Sequence, residues 1–360
     1  MKTLFLGDVC PTIVTTPLFK QKDLETLFTD VPSIFRDKGF MFVNLECALT
    51  ESGQAIKKIG PALKGPVETT EILKELGVNC CGISNNHVYD YGKAGMKDTL
   101  KALQDAGLKY TGFGKNYEDS RQNLVFEQDG EKICIIAVCE HEYTYALEDR
   151  MGCRPYDVYD TIEDIRAAKA AYDRVIVIYH GGKEFCKYPS PRLHKLCHAM
   201  AKNGADMVLC QHSHCIGCYE KYNDCHILYG QGNFHFVKEH WFEGWFTSLA
   251  VAYDTQKRDI EFIPIITDKV GIRLAHNEEK EQILSEFYER NKKLLNGEWK
   301  QGWHDFCESV QELYINTVKN AGTDAATEHD NQMFAHFLDC EAHVDVWREL
   351  WPSYHKSNEI

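Results

Sequence analysis

Residues 174–182 read RVIVIYHGG, an apolar, β-branched run that stops abruptly at a histidine and two glycines. Such a run is a buried strand, and the stop places His180 at its carboxyl end. The same figure recurs along the chain. TLFLG (3–7) runs into Asp8, and FMFVNL (40–45) carries Asn44 at its end with Glu46 just beyond. VNCCGIS (78–84) leads to Asn85-Asn86-His87, DMVLC (206–210) to His212-Ser213-His214, and HILYG (226–230) to Gly232-Asn233. Helical spacing fills the intervals at 23–38, 67–76, 93–106, 161–173 and 190–203, with Gly107 and Gly204 as stops. A hairpin is expected at 123–127 and 132–138, turned at Asp129-Gly130. Strands alternating with helices predict an α/β fold with open sheets flanked by helices. From 216 to 267 the pattern is strands alone, which predicts an antiparallel second half.

The composition shifts near residue 273. Helical periodicity then runs over 277–296, 303–320 and 330–351, with 321–330 as an exposed loop. The reading is a core of residues 1–272 and a helical extension of residues 273–360, packed on the core or used for dimerisation into a homo-oligomer.

With 40 Lys+Arg against 54 Asp+Glu, the chain carries a formal charge of −14, which argues against a nucleic-acid partner. A hydrophobic fraction of 44% excludes a disordered chain. No apolar run approaches the ~20 residues of a membrane span. The 15 cysteines are odd in number, and many lie inside strand-like runs (Cys80, Cys81, Cys134, Cys139, Cys210). They read as reduced, buried thiols, and with no secretory signal pattern they predict a cytoplasmic protein. The Cys215/Cys218 pair reads as coincidence.

Ligands of open α/β sheets bind in the crevice at the carboxyl ends of strands. Asp8, Glu46, Asn86, His180, His212 and His214 form a mixed oxygen and nitrogen set there. It suits two divalent ions drawn from Mn, Fe, Zn or Co better than calcium or a thiolate-rich site. In an extended H-x-H the two imidazoles point to opposite sides, so the pair would serve neighbouring ions. Each element alone is ordinary: Asp8 can cap a helix, Asn-Asn-His can be a turn, and a lone histidine is usually structural. Their order at successive strand ends is what packing does not explain.

The ordered set GDV (7–9), NLE (44–46), NNHVYDYG (85–92), HGGKE (180–184), HSH (212–214) and YGQGNF (229–234) resembles the CapA, or poly-γ-glutamate biosynthesis, family of the calcineurin-like metallophosphoesterase superfamily. The resemblance covers roughly residues 1–265. It implies a four-layer α-β-β-α sandwich with a dinuclear metal site at one edge, held by the six residues above, with Glu46 close to both ions. It implies His87 as general acid or transition-state donor, Asp90 orienting it, and Asn44, Glu184 and Asn233 in the outer shell or substrate pocket. Lys64, with Lys57 and Lys58 in the loop KKIGPALKGP, is a candidate for binding substrate carboxylates or phosphates. Glu140 and His141, after the strand ICIIAVC, are candidates for the same crevice. Two departures stand out: Cys10 occupies the place of a histidine ligand, and Gln211 replaces a glycine before HSH. The function implied is metal-dependent hydrolysis or transfer on a small molecule or anionic polymer in capsule or poly-γ-glutamate metabolism. The alternatives are a non-catalytic metal-binding component of a polymer-synthesis complex and a metal-assisted epimerase.

Overall fold

The computed structural model describes residues 1–36, 38–140 and 142–352. His141 and the last eight residues of the expected helical extension lie outside them. The chain lays down half of one sheet, builds a second, then returns to finish the first. Strands β1 (Lys2–Val9), β2 (Lys38–Leu45), β3 (Cys80–Gly82) and β4 (Lys109–Thr111) pair in parallel in that order. The second sheet takes β5 (Leu124–Gln128), β6 (Glu131–Cys139), β7 (Arg174–His180), β8 (Met207–Gln211), β9 (Tyr219–Tyr222) and β10 (Cys225–Leu228). Its order is β9-β10-β8-β7-β6-β5. The expected hairpin joins β5 to β6, with Asp129 (φ 53°) and Gly130 (φ 81°) both left-handed, as a tight hairpin turn requires.

The chain then rejoins β1 on its free side. Strand β11 (Asn233–His235) pairs with it in parallel, while β12 (Thr247–Asp254), β13 (Asp259–Thr267) and β14 (Ile272–Leu274) continue antiparallel. The expected antiparallel half is therefore present, except that β10 and β11 run parallel to their inner neighbours.

Period-two alternation sorts the strand side chains into layers. Phe5 and Phe42 meet Ile133, Ile135, Ile176, Ile178, Leu209 and Val251 between the two sheets. Leu4, Leu6, Met41 and Val43 face the other way, onto helices α1 (Thr16–Gln21), α2 (Leu24–Phe28), α3 (Thr69–Glu75) and α4 (Gly92–Asp105). Cys134, Ile136, Val175, Val177 and Val208 pack under α5 (Val158–Ala171) and α6 (Pro191–Lys202). The single helix expected over 23–38 is instead α2 and a separate 3-10 turn at Val31–Phe35. Thr29 breaks it with φ 41°, and Pro32 cannot donate to a continuing helix.

Four helices follow: α7 (Asn277–Asn296), α8 (Trp299–Asn320), α9 (Glu328–Asp339) and α10 (Glu341–Leu350). The expected helix 330–351 is thus two, parted at Cys340, and α9 begins inside the expected loop because Thr327 and Asp330 form a reciprocal capping box. Leu294 and Trp299 join the core beneath α6. Trp303, Cys307, Tyr314, Phe337 and Val346 make a small core of their own with Cys186.

Candidate metal centre

Register brings the polar strand ends side by side. Asp8 of β1 has Asn44 of β2 as its partner on one side and Asn233 of β11 on the other. His180 stands level with Gln211 of β8 and Cys139 of β6. The Glu46 amide donates to the Val9 carbonyl, which holds the residue against β1 after β2 has ended. Gly7 is required by this crowding, since a Cβ there would lie 2.0 Å from the Gly232 carbonyl oxygen.

After β3, Asn85 turns the chain. Its amide donates to the Leu45 carbonyl and its oxygen accepts from the backbone of His87 and Val88. That Asx-type turn presents Asn86 and His87. The Asn86 oxygen lies 2.8 Å from His180 Nε2.

Asp8, Glu46 and His180 are wholly buried, and His212 and His214 nearly so. Glu46 Oε1 is 3.4 Å from His180 Nε2 and 3.9 Å from His214 Nε2. Donor atoms of Glu46, His212 and His214 all lie within 4.8 Å of one another. Glu46 therefore sits between imidazoles from both sides of the crevice. The HSH segment is not extended: His212 (φ 82°) and His214 (φ 54°) are both left-handed. The opposed imidazoles expected of an extended H-x-H are replaced by a turn that converges both on Glu46. Left-handed backbone at a non-glycine residue is costly and persists where surrounding structure enforces it.

The electrostatics favour a cation. Glu46 is pushed well above the usual carboxylate range by burial and by Asp8. His180 is pushed down to about 4 by burial and so is neutral. Burial also works against charge on His214, but Glu46 and Asp8 outweigh it and raise the ring. Among the described residues, Asp8 Oδ2 and both Glu46 oxygens have no hydrogen-bond partner. Buried carboxylate oxygens without donors are expensive unless ions satisfy them. The residue set and its orphaned oxygens fit divalent metal.

Asn44 and Asn233 belong to the support. Asn44 donates to Asp8 Oδ1 at 2.7 Å, stands 3.2 Å from His180 Nδ1, and accepts from Asn85. The Asn233 oxygen lies 2.9 Å from His214 Nδ1, fixing that ring. Gln211 explains the missing glycine. Its amide donates to the Leu6 carbonyl and to Gln231, whose own amide donates to Phe5 and Leu249, so the pair ties the sheets together beneath the site. Cys10 belongs to the core packed on β1 and is held as a neutral thiol by burial and by Cys47.

A cavity of about 720 Å³ opens above the centre. Asn86, His87, Glu184 and His212 are on its floor side, with Phe306, Val310, Leu313, Met333 and Phe337 of α8 and α9 opposite. His87 Nδ1 is 2.6 Å from Asp90 Oδ2. Lys58 lines this cavity beside His87. Its Nζ donates to Asp90 Oδ1 at 2.6 Å and to the Asn86 carbonyl at 2.9 Å, and lies 3.2 Å from His87 Nδ1. Lys64 turns away to the Ser52 carbonyl and over the Tyr91 ring. Glu140 does not face the cavity: it pairs with Arg192 and accepts from the Gly182 amide, bracing the HGGKE loop. Lys238, beyond the motifs read in the sequence, is lowered by burial while Cys10, Glu46 and Glu184 oppose that shift.

Residues 2–238 match the family described as bacterial capsule synthesis protein PGA_cap. Over 238 residues the chain is 30% identical to the PGA biosynthesis protein CapA of Bacillus subtilis (strain 168), covering 64% of this chain and 62% of that one. It is 32% identical over 181 residues to the capsule biosynthesis protein CapA of Bacillus anthracis, covering 48% and 44%. It is 27% identical over 204 residues to a probable polyglutamine synthesis accessory protein of Mycobacterium tuberculosis (strain ATCC 25618 / H37Rv), covering 53% and 54%. The chain thus spans less than two thirds of the length of these relatives. Solved structures are more distant. A hypothetical protein from Thermus thermophilus gives a TM-score of 0.44 at 16% identity, covering 73% of this chain and 98% of that one. The 5'-nucleotidase of Candida albicans SC5314 gives 0.41 at 10% identity, covering 82% and 58%. The family match includes every strand-end residue of the centre and stops before α7, and on that match the chain belongs to the bacterial capsule synthesis PGA_cap family.

Proposed function

We propose that the chain is a metal-dependent hydrolase or transferase that holds two divalent ions at Asp8, Glu46, Asn86, His180, His212 and His214. The observation that carries this reading is the set of three buried carboxylate oxygens without donors, ringed by imidazoles. Core clusters between the sheets and on each outer face support the four-layer sandwich of the metallophosphoesterase type. We read residues 1–272 as that domain and 273–360 as an extension, whose described residues, up to 352, pack on it.

When bound, such ions supply an activated water and a Lewis acid for a phosphoryl or acyl centre. The chain supplies the rest. Asp90 accepts the Nδ1 proton of His87 and leaves Nε2 as the working edge of the ring. His87 is lowered to about 4 by burial and then by Lys58, with Asp90 opposing. It is therefore neutral in the free protein, and a donor role at the leaving group needs substrate charge to raise it. Glu184 and Lys183 line the same cavity. Asn44 and Asn233 hold the ligands in place.

A cavity of about 720 Å³ with an apolar roof suits a compact, partly apolar substrate or the end of a chain, not the middle of an extended polymer. The relatives' names associate them with PGA, capsule and polyglutamine synthesis, and we place this chain in the same kind of metabolism. We place it in the cytoplasm because the cysteines are buried inside the fold, as the reduced thiols of a reducing compartment are. No described helix is long and apolar enough to cross a membrane. Exposed Leu295 of α7 and Leu338 of α9 support a homo-oligomer.

The second reading, a binding component without turnover, is favoured by Cys10, a buried thiol where a histidine would complete one ion's ligands. A screen of phosphomonoesters, phosphodiesters and γ-glutamyl amides with added Mn separates the two. Turnover that disappears in His87→Ala supports the enzyme. Metal binding with no turnover on any of them supports the binding component.

A further inference from the structure

We propose a second metal site, for one zinc-type divalent ion, at His194, His198 and Glu220 on the outer face of the second sheet. It does not rest on the function proposed above. His194 and His198 are one turn apart on α6, so both project from the same face. Their ring centroids are 4.1 Å apart. Glu220 of β9 reaches in from the adjacent sheet edge. Its Oε1 is 3.4 Å from His194 Nε2 and 2.8 Å from His198 Nε2. One donor atom from each of the three lies within 4.8 Å of the others. Bonds of 2.0–2.2 Å in a tetrahedron put ligand atoms roughly 3.3 Å apart. The cluster therefore needs only small side-chain adjustment to close on an ion.

The surroundings hold the ligands in that geometry. His198 stacks on Tyr222 at 3.7 Å and 9°, and His194 stacks on Trp299 at 4.8 Å and 25°. The Tyr229 hydroxyl donates to Glu220 Oε1 at 2.7 Å, the kind of outer contact that orients a ligating carboxylate. Burial works against charge on Glu220, yet hydrogen bonds from His194, His198 and Tyr229 hold it down at about 2, so it is ionised at neutral pH. The two histidines keep about a fifth of their side-chain surface exposed (23% and 19%), which lets an ion enter and a water complete the fourth position. Imidazole with a carboxylate selects Zn, Co or Ni over Mg or Ca. An ion here would clamp α6, the β9 edge and Trp299, the first residue of α8, at the point where the closing helices join the core.

The test uses the full chain, stripped with chelator and titrated with zinc, and with cobalt for its visible spectrum. Wild type is compared with His198→Gln, Glu220→Gln and His214→Ala, each checked for fold by circular dichroism. The expected result is one equivalent that survives His214→Ala and weakens more than tenfold in His198→Gln and Glu220→Gln, with tetrahedral cobalt absorption lost in parallel. Equal binding in His198→Gln and wild type, or loss of all zinc in His214→Ala, would overturn the proposal. A zinc-soaked crystal decides without substitution. An anomalous peak bonded to both Nε2 atoms supports the site. A filled strand-end cluster beside an empty His194–His198–Glu220 cluster refutes it and leaves a plain hydrogen-bonded trio.

Discussion

The floor of the cavity is made of strand ends and its roof of helix faces, and the two are built on opposite principles. Beneath the floor, Asp8 and Glu46 are buried beside three imidazoles, with carboxylate oxygens left without donors. The roof presents mainly apolar side chains, Phe306, Val310, Leu313, Met333 and Phe337, with Tyr314, His336 and His343 among them. The family match ends before the roof begins. The difference suggests a division of labour, with ion binding and bond chemistry in the floor and the size and polarity of what enters set by the roof.

The division can be broken most decisively at the floor. Asp8→Ala or His214→Ala should lose bound metal and all turnover while keeping the fold, because each removes a proposed ligand and, for Asp8, a buried carboxyl oxygen without a donor. Metal content and circular dichroism on the same sample check this. His87→Ala should keep its metal and lose about 10²–10⁴-fold in turnover, the usual worth of a positioned proton-transfer group.

Acid sensitivity should arise away from the cavity, on the helix-covered face of the first sheet. His235 of β11 is enclosed by Phe19 and Phe28, and burial pushes it down to about 4. A ring that resists protonation only when folded contributes stability that is complete above the unfolded value near 6.5 and is lost as pH falls through about 4. The span corresponds to about 3 kcal/mol. His235→Leu should flatten that part of the stability profile, measured by urea unfolding between those pH values.

The smallest effect belongs to the roof. Val310→Trp should fill part of the cavity, lower kcat/KM for bulky substrates by about tenfold through KM, and leave metal content unchanged. A change in metal content in Val310→Trp would collapse the distinction between floor and roof.

The same contrast governs what could be read from the sequence. Asp8, Glu46, Asn86, His180, His212 and His214 were legible because a buried strand that stops at a metal-competent residue is conspicuous. The helices were legible from their periodicity, but what they cover was not, since an apolar face records burial and not the partner. Lys58 and Lys64 are indistinguishable in a loop without periodicity. Only the path of the chain brings Lys58 onto Asp90 and sends Lys64 to Ser52. The left-handed backbone of His212 and His214 carries no sequence signal, because neither position is glycine or asparagine. The break at Cys340 lacks a proline or glycine to announce it.

The central claim is that cations satisfy the buried carboxylates beneath the floor. Metal analysis of protein purified without chelators, paired with anomalous scattering from its crystals, tests it most directly. The account predicts about two ions per chain at the strand-end cluster, with Glu46 between two anomalous peaks. Fewer than about one equivalent in folded protein, or anomalous peaks away from Asp8 and Glu46, would contradict it.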